Sequence, residues 1–418
     1  MSSCVGLAVD LPSELNLYTR TGLNPGELRY VRDACSCSRR DFLRRKGSLL
    51  RALVRPRAAI SHLTYRGRQD LPIRAILPFA TDIPIRSYLN QALPLSIVSR
   101  DPNHRTALFG SFLQLFFPDH KLEYDRVLML PSLRAEDWRR LSLLDISIVD
   151  THAAELTRPG ALVDLLIEHL RQGHYAEMQI DEYFLPGRPC FRTVHSVHDN
   201  LILGYDLNRN FFDVAGYGQD YEVAGMRFED IEKAFHHMPR SALGRRYLAM
   251  MRLREGAKPE FDLAGMTAQL GDYLHSRITM APDVMRNANL YWKARRFTGA
   301  WGLDTYEAFI DYVTRMGRGR KALDLRATRT LWEHKACMLA RLKFLQEKQC
   351  LAKGQSWPAY AAVVDLAKAV RFEAYEYNTA GPNPNCIDSM TAILRTMRDM
   401  EAEVLRPVHA ALVPPARA

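Results

Sequence analysis

Between residues 162 and 235 the spacing of apolar positions changes repeatedly, and each change predicts a new element. Leu162, Leu165, Leu166 and Leu170 recur at helical spacing and predict a helix over 162–171. From Tyr175 to Phe184 the period falls to two. Ala176, Met178 and Ile180 share one face and Glu177, Gln179 and Asp181 the other, the pattern of a half-buried strand. Pro186-Gly187 ends it. A strand carrying His195 and His198 then runs into Gly204-Tyr205-Asp206, and residues 210–217 return as its hairpin partner. Tyr221 to Met226 adds a strand, and Glu229 to Phe235 a helix. A helix followed by an antiparallel meander belongs to the α+β class.

Upstream, Leu108, Phe109, Phe112, Leu113 and Phe116 predict a buried helix over 107–117, and residues 127–130 and 146–149 predict short strands. From about residue 258 the pattern is almost wholly helical. One helix is expected over 325–351, with Leu331, Met338, Leu342 and Leu345 inward, and another over 361–377. Gly381-Pro382-Asn383-Pro384 breaks the chain, and Asp388 is expected to cap a last helix ending near Leu405. The division that follows is a basic extension over 1–75, an α+β domain over 76–240 and an all-α domain over 258–418. A chain of 418 residues is too long for one ordinary core. Helical bundles of the last kind shape pockets or support homodimers.

Composition adds limits. Hydrophobic content of 47% and charged content of 25% are those of a soluble globular protein. No apolar run approaches the ~20 residues of a membrane-spanning helix, so no membrane association is expected. Ser38-Arg39-Arg40-Asp41-Phe42-Leu43-Arg44 resembles a twin-arginine export signal, but Arg45, Lys46, Arg51, Arg55 and Arg57 interrupt what should follow. A basic amphipathic helix burying Phe42, Leu43, Leu49, Leu50 and Leu53 suits the segment better. Seven cysteines, with only Cys35 and Cys37 close together, suit reduced thiols in a cytoplasm. The net charge of +10, concentrated between Arg29 and Arg68, favours an acidic partner. No nucleic-acid motif accompanies it, and Arg318-Gly319-Arg320-Lys321 suits a solvated loop. There is no phosphate-cradling loop, dinucleotide fingerprint or metal-spaced cysteine set, so no bound cofactor is expected.

The candidate chemistry centres on His198. His195 and His198 are three apart on an expected strand, which places them on opposite faces and makes them poor joint metal ligands. The run His198-Asp199-Asn200-Leu201-Ile202-Leu203-Gly204-Tyr205-Asp206 resembles the histidine strand of bacteriocin-processing, papain-like peptidases. The longer stretch from Asp181 to Tyr217 is more similar to a bacterial group related to the N-terminal domain of butirosin biosynthesis protein H. Leu331-Trp332-Glu333-His334-Lys335 also looks like that group.

The resemblance implies a papain-like sheet domain joined to a helical half. It also implies transfer of an acyl group from an acyl or peptidyl carrier protein onto a small-molecule amine. The phosphopantetheine arm of that carrier would present the thioester. His198 would be the general base, and Asp213 on the next strand would orient it. The group's own aspartate falls nearer Ala215, so Asp199 and Asp206 are held as fallbacks. The group places a cysteine nucleophile at a helix start upstream, but the matching residues, 103–111, contain none. Ser111 and Cys190 are the remaining candidates; Cys190 follows Pro189 in a turn, away from any helix dipole. Cys337 and Cys350 sit on helical stripes as packing residues. Three readings stay open: an acyltransferase forming amides, a catalytically silent binding subunit, and a cysteine peptidase.

Overall fold

A computed structural model describes residues 72–110, 113–118, 143–149, 156, 158–238, 248–277, 279, 299–352 and 357–413. In chain order the elements are β1 (Arg74–Ile76), α1 (Leu89–Val98), α2 (His104–Phe109), β2 (Phe116–Pro118), β3 (Leu144–Ile148), α3 (Ala161–Arg171), β4 (Tyr175–Asp181), β5 (Val197–Asp206), β6 (Phe211–Tyr217), β7 (Tyr221–Arg227), α4 (Phe228–His236), β8 (Leu248–Leu253), α5 (Leu263–Leu274), β9 (Gly299–Trp301), α6 (Thr305–Arg318), α7 (Leu325–Glu347), α8 (Trp357–Ala380) and α9 (Pro384–Leu412). The architecture is α+β, a seven-stranded antiparallel sheet followed by a C-terminal helical region.

The sheet order is β3-β8-β4-β5-β6-β7, with β1 also paired to β5. β5 is the hub. Its first half pairs with β4 (Ile180 opposite His198), its second half with β1, and its other edge with β6. The β5–β6 hairpin forms where the alternation predicts it. Asp206 Oδ1 accepts the amide of Arg209 at 3.0 Å, and Asn210 takes the left-handed conformation (φ 55°) that asparagine tolerates. The register shifts between Ile202 and Gly204, and there only glycine fits. A Cβ on Gly204 would stand 2.6 Å from Asp213 Oδ2 and 2.8 Å from the Ala75 carbonyl oxygen.

Both faces of the sheet are covered. Ala176, Met178, Ile180 and Ile202 pack with α3 and α4 in one core. Tyr175, Leu201, Leu203 and Ala215 share a second core with α1 and with the C-terminal helices. Leu93, Leu95, Ile97 and Val98 of α1 are at most 1% exposed, and full burial of each such side chain contributes about 1.5–3 kcal/mol. The second core runs from Ile83 to Leu412, so sheet and bundle are not packed as separate interiors.

Several expectations change. Residues 107–117 are not one helix: α2 stops at Phe109, and Phe116–Pro118 pairs as a strand with Gly299–Trp301. The sheet extends past residue 240, because β8 inserts between β3 and β4. The last helix begins at Pro384 under Asn383, which accepts the Asn385 amide at 3.0 Å, instead of at Asp388. The alternation of β4 does not mark a solvent face, since Glu177 is 2% exposed. The basic extension through residue 71, the strand expected at 127–130 and Ser111 lie outside the described residues. None of the described helices is long and apolar enough to cross a membrane.

Glu177 carries a consequence for stability. Burial pushes its carboxyl well above the usual 4.5, with Asp199 adding to the effect, and its Oε2 finds no hydrogen-bond partner among the described residues. The folded chain therefore retains a proton that the unfolded chain releases, and stability falls as pH rises above 4.5. Glu177→Gln should match the parent near pH ~4 and exceed its melting temperature near pH ~8. Two parallel curves of melting temperature against pH would assign the effect elsewhere.

Candidate functional site

The loop from Glu182 to Ser196 leaves β4 and returns to β5, and Asp181 closes its base. Its fully buried carboxylate accepts the amides of Tyr183 (3.1 Å) and Ser196 (3.0 Å), and its Oδ2 lies 2.6 Å from His195 Nδ1. The Glu182 amide donates to the Ser196 carbonyl at 2.9 Å. His195 stacks on Tyr183 with ring centroids 4.2 Å apart. β5 begins at Val197, so His195 precedes the strand, and each histidine has a carboxylate of its own.

His198 is the better placed of the two for proton transfer. Its Nδ1 lies 2.8 Å from Glu182 Oε2, and its Nε2 lies 3.4 Å from the Ser196 hydroxyl. The His198 side chain is 34% exposed, whereas Glu182 is 2% exposed. A hydroxyl, an imidazole and a buried carboxylate thus follow one another as nucleophile, base and orienter do in acyl-transfer centres. Burial alone would raise the Glu182 carboxyl, but His198, Arg188 and Asn200 together hold it below the usual range. It is therefore ionised, and an ionised acceptor on Nδ1 leaves Nε2 to take a proton.

A buried polar floor holds Glu182 still. Arg188 has its side chain fully buried, with Nε 3.9 Å from Glu182 Oε1 and Nη2 donating to Asn200 Oδ1 at 2.9 Å. Burial pulls the Arg188 guanidinium down, and Glu182 and Glu222 push it back. Gly216 makes room for this group. A Cβ there would stand 2.6 Å from Arg188 Nη2 and 2.9 Å from Asn200 Oδ1.

Asp213 does not orient His198. It pairs with Gly204, six residues along β5 from His198 and so roughly 20 Å away at ~3.3 Å per residue. Its carboxyl is raised by partial burial at that far end, beside Arg74 and Asp206. Asp206 shares that end, and Ala215, opposite Leu201, is buried in the second core. Asp199 alternates with His198 and faces the α1 side, next to Glu177. Cys190 is 2% exposed in the turn that follows Pro189. Cys337 is buried on α7. Among the described residues no cysteine forms a disulfide.

His198 also departs from the arrangement in which a helix start supplies the nucleophile to the histidine. Leu201 and Leu203 face α1, whereas His198, Asn200 and Ile202 alternate onto the α3–α4 face. Glu182 and Ser196 were not anticipated from the sequence. The available signal was the pairing of Ile180 with His198, which puts the residues flanking both strand ends together. A scan against protein-family models and a search of curated proteins both found no match.

Proposed function

We propose that the chain is an acyltransferase in which His198 is the general base, Glu182 orients it and Ser196 is the attacking hydroxyl. One observation carries this reading: the Ser196–His198–Glu182 sequence, with Oγ 3.4 Å from Nε2 and Nδ1 2.8 Å from a buried carboxylate. In the first half-reaction Ser196 Oγ attacks a thioester carbonyl and passes its proton to His198 Nε2. The C–S bond breaks, and the leaving thiolate takes that proton back. In the second, an amine attacks the acyl-serine ester and loses a proton to His198. The C–Oγ bond breaks, and His198 returns the proton to Ser196.

The donor in this reading is an acyl group on the phosphopantetheine arm of a carrier protein, and the acceptor is a small amine. The resemblance to the butirosin biosynthesis protein H group and its papain-like fold supports that choice, as does the net charge of +10, which suits an acidic carrier. The serine sets this chain apart from a cysteine peptidase.

The test is to mix the full chain with an acyl-loaded carrier protein and an amine and follow products by mass spectrometry. The parent should form the amide and, with the amine withheld, accumulate an acyl adduct on the peptide containing Ser196. Ser196→Ala should give no adduct and lose amide formation by about 10²-fold or more. Binding of the loaded carrier with no product from the parent would instead make the chain a silent binding subunit.

A further inference from the structure

Where β3 and β8 border the sheet, a polar cluster surrounds a cavity that the proposed reaction does not use. Asp145 of β3 lies opposite Arg252 of β8, and Ser147 lies opposite Met250. Alternation along β8 puts Arg252 and Arg254 on the α3–α4 side with Met250. His174 comes just before Tyr175, the partner of Met251, so it flanks Arg252 from the β4 side. Asp145, Ser147, His174, Met250, Arg252 and Arg254 line one cavity of about 290 Å³. The end of α3 fixes His174 there. The His174 amide donates to the His169 carbonyl at 2.9 Å, and the two imidazoles meet edge-on with centroids 5.4 Å apart.

Two cations in this cavity share one anion. Arg254 Nε donates to Asp145 Oδ1 at 3.0 Å, and Arg252 Nε lies 3.6 Å from Asp145 Oδ2. Both arginines meet Asp145 through Nε, and their Nη groups make no hydrogen bond among the described residues. One positive charge is therefore left over, on planar forks of the kind that hold both oxygens of an oxyanion. The three side chains are between 40% and 50% exposed, so a ligand reaches them directly from water.

We infer that this cavity binds the carboxylate of a small organic acid, held by the Nη groups of Arg252 and Arg254 beside the Ser147 hydroxyl and the His174 ring. A single spare charge matches a carboxylate and leaves a phosphate dianion short of a cation. The volume stands at the small end of ligand pockets, which limits the acid to a compact one. His198 is remote from it. Its partner Ile180 is six residues along β4 from His174, roughly 20 Å at ~3.3 Å per residue. Binding here is therefore independent of the Ser196 chemistry.

The probe is acetate, added to the full chain at neutral pH against chloride of equal ionic strength and against acetamide, its neutral isostere. Acetate should give a saturable rise in melting temperature of about 1–3 °C, whereas chloride and acetamide should not. The concentration dependence of that rise gives the affinity. Arg252→Gln should weaken it by about tenfold or more. Asp145→Asn should tighten it by about fivefold, because the competing carboxylate is gone. Exposed pairs of this kind contribute little to folding, so both variants should fold as the parent does. If Arg252→Gln does not fold, Arg254→Gln carries the same expectation. Arg158→Gln, at an exposed pair with Asp164, should bind as the parent does. Equal effects of acetate and chloride, unchanged affinity in the arginine variant, no gain in Asp145→Asn, or a response to phosphate but not to acetate would each overturn the assignment.

Discussion

Lys335→Met should destabilise the protein by about 3–5 kcal/mol, because it strands a buried carboxylate. Lys335 and Glu401 are both fully buried, with Nζ 2.8 Å and 3.0 Å from the two carboxylate oxygens. Tyr273 and Tyr306 donate to Glu401 at 2.8 Å each, and Tyr360 donates to its other oxygen. Burial lowers the Lys335 ammonium, and Glu401 works against that shift. Its removal leaves the carboxylate with hydroxyl donors and no cation. Lys335→Met/Glu401→Gln should recover much of the loss, since the amide oxygen still accepts from tyrosines without carrying charge. Urea unfolding midpoints decide the matter. A single variant as stable as the parent would show that the tyrosines alone suffice.

His198→Asn should lower turnover by about 10²–10⁴-fold while leaving the folded state intact, since the ring is partly exposed and near the mouth of its loop. Glu182→Gln tests the positioning role separately. It keeps the size of the side chain and removes the charge facing Nδ1, so kcat should fall while KM changes little. A rise in KM with kcat unchanged would assign Glu182 to binding. If His198→Asn turns over as the parent does, proton transfer does not pass through this imidazole.

The hairpin was legible because its information is local: the period-two run, the Gly204-Tyr205-Asp206 ending and the turn at 207–210 lie within one short stretch. The site was only half legible. His198 stands on that hairpin, but the carboxylate beside its Nδ1 is sixteen residues upstream and reaches it through the β4–β5 register. Asp213 has a favourable residue type on the expected strand, yet register puts it at the wrong end. The 107–117 segment reads as helical on side-chain spacing alone, and its last two residues join a strand because Gly299–Trp301, far away in sequence, supplies the partner. Glu177 shows the same limit from the other side: polar spacing cannot announce that its face of the sheet will be buried.

The way α1 is held bears on where the molecule can open. Its first residues are tied to Glu333 on the bundle, and its body fills the seam between sheet and helices. A clamshell opening along that seam would drag fully apolar side chains into water, a motion that thermal energy seldom supplies. Under the proposed reaction, access to His198 falls to the loop from Glu182 to Ser196 between the antiparallel β4 and β5, whose base Asp181 staples shut and whose rim is aromatic. Rate-limiting breathing in such a reaction should therefore map to that loop, where a spin label or fluorophore on Arg192 would register it.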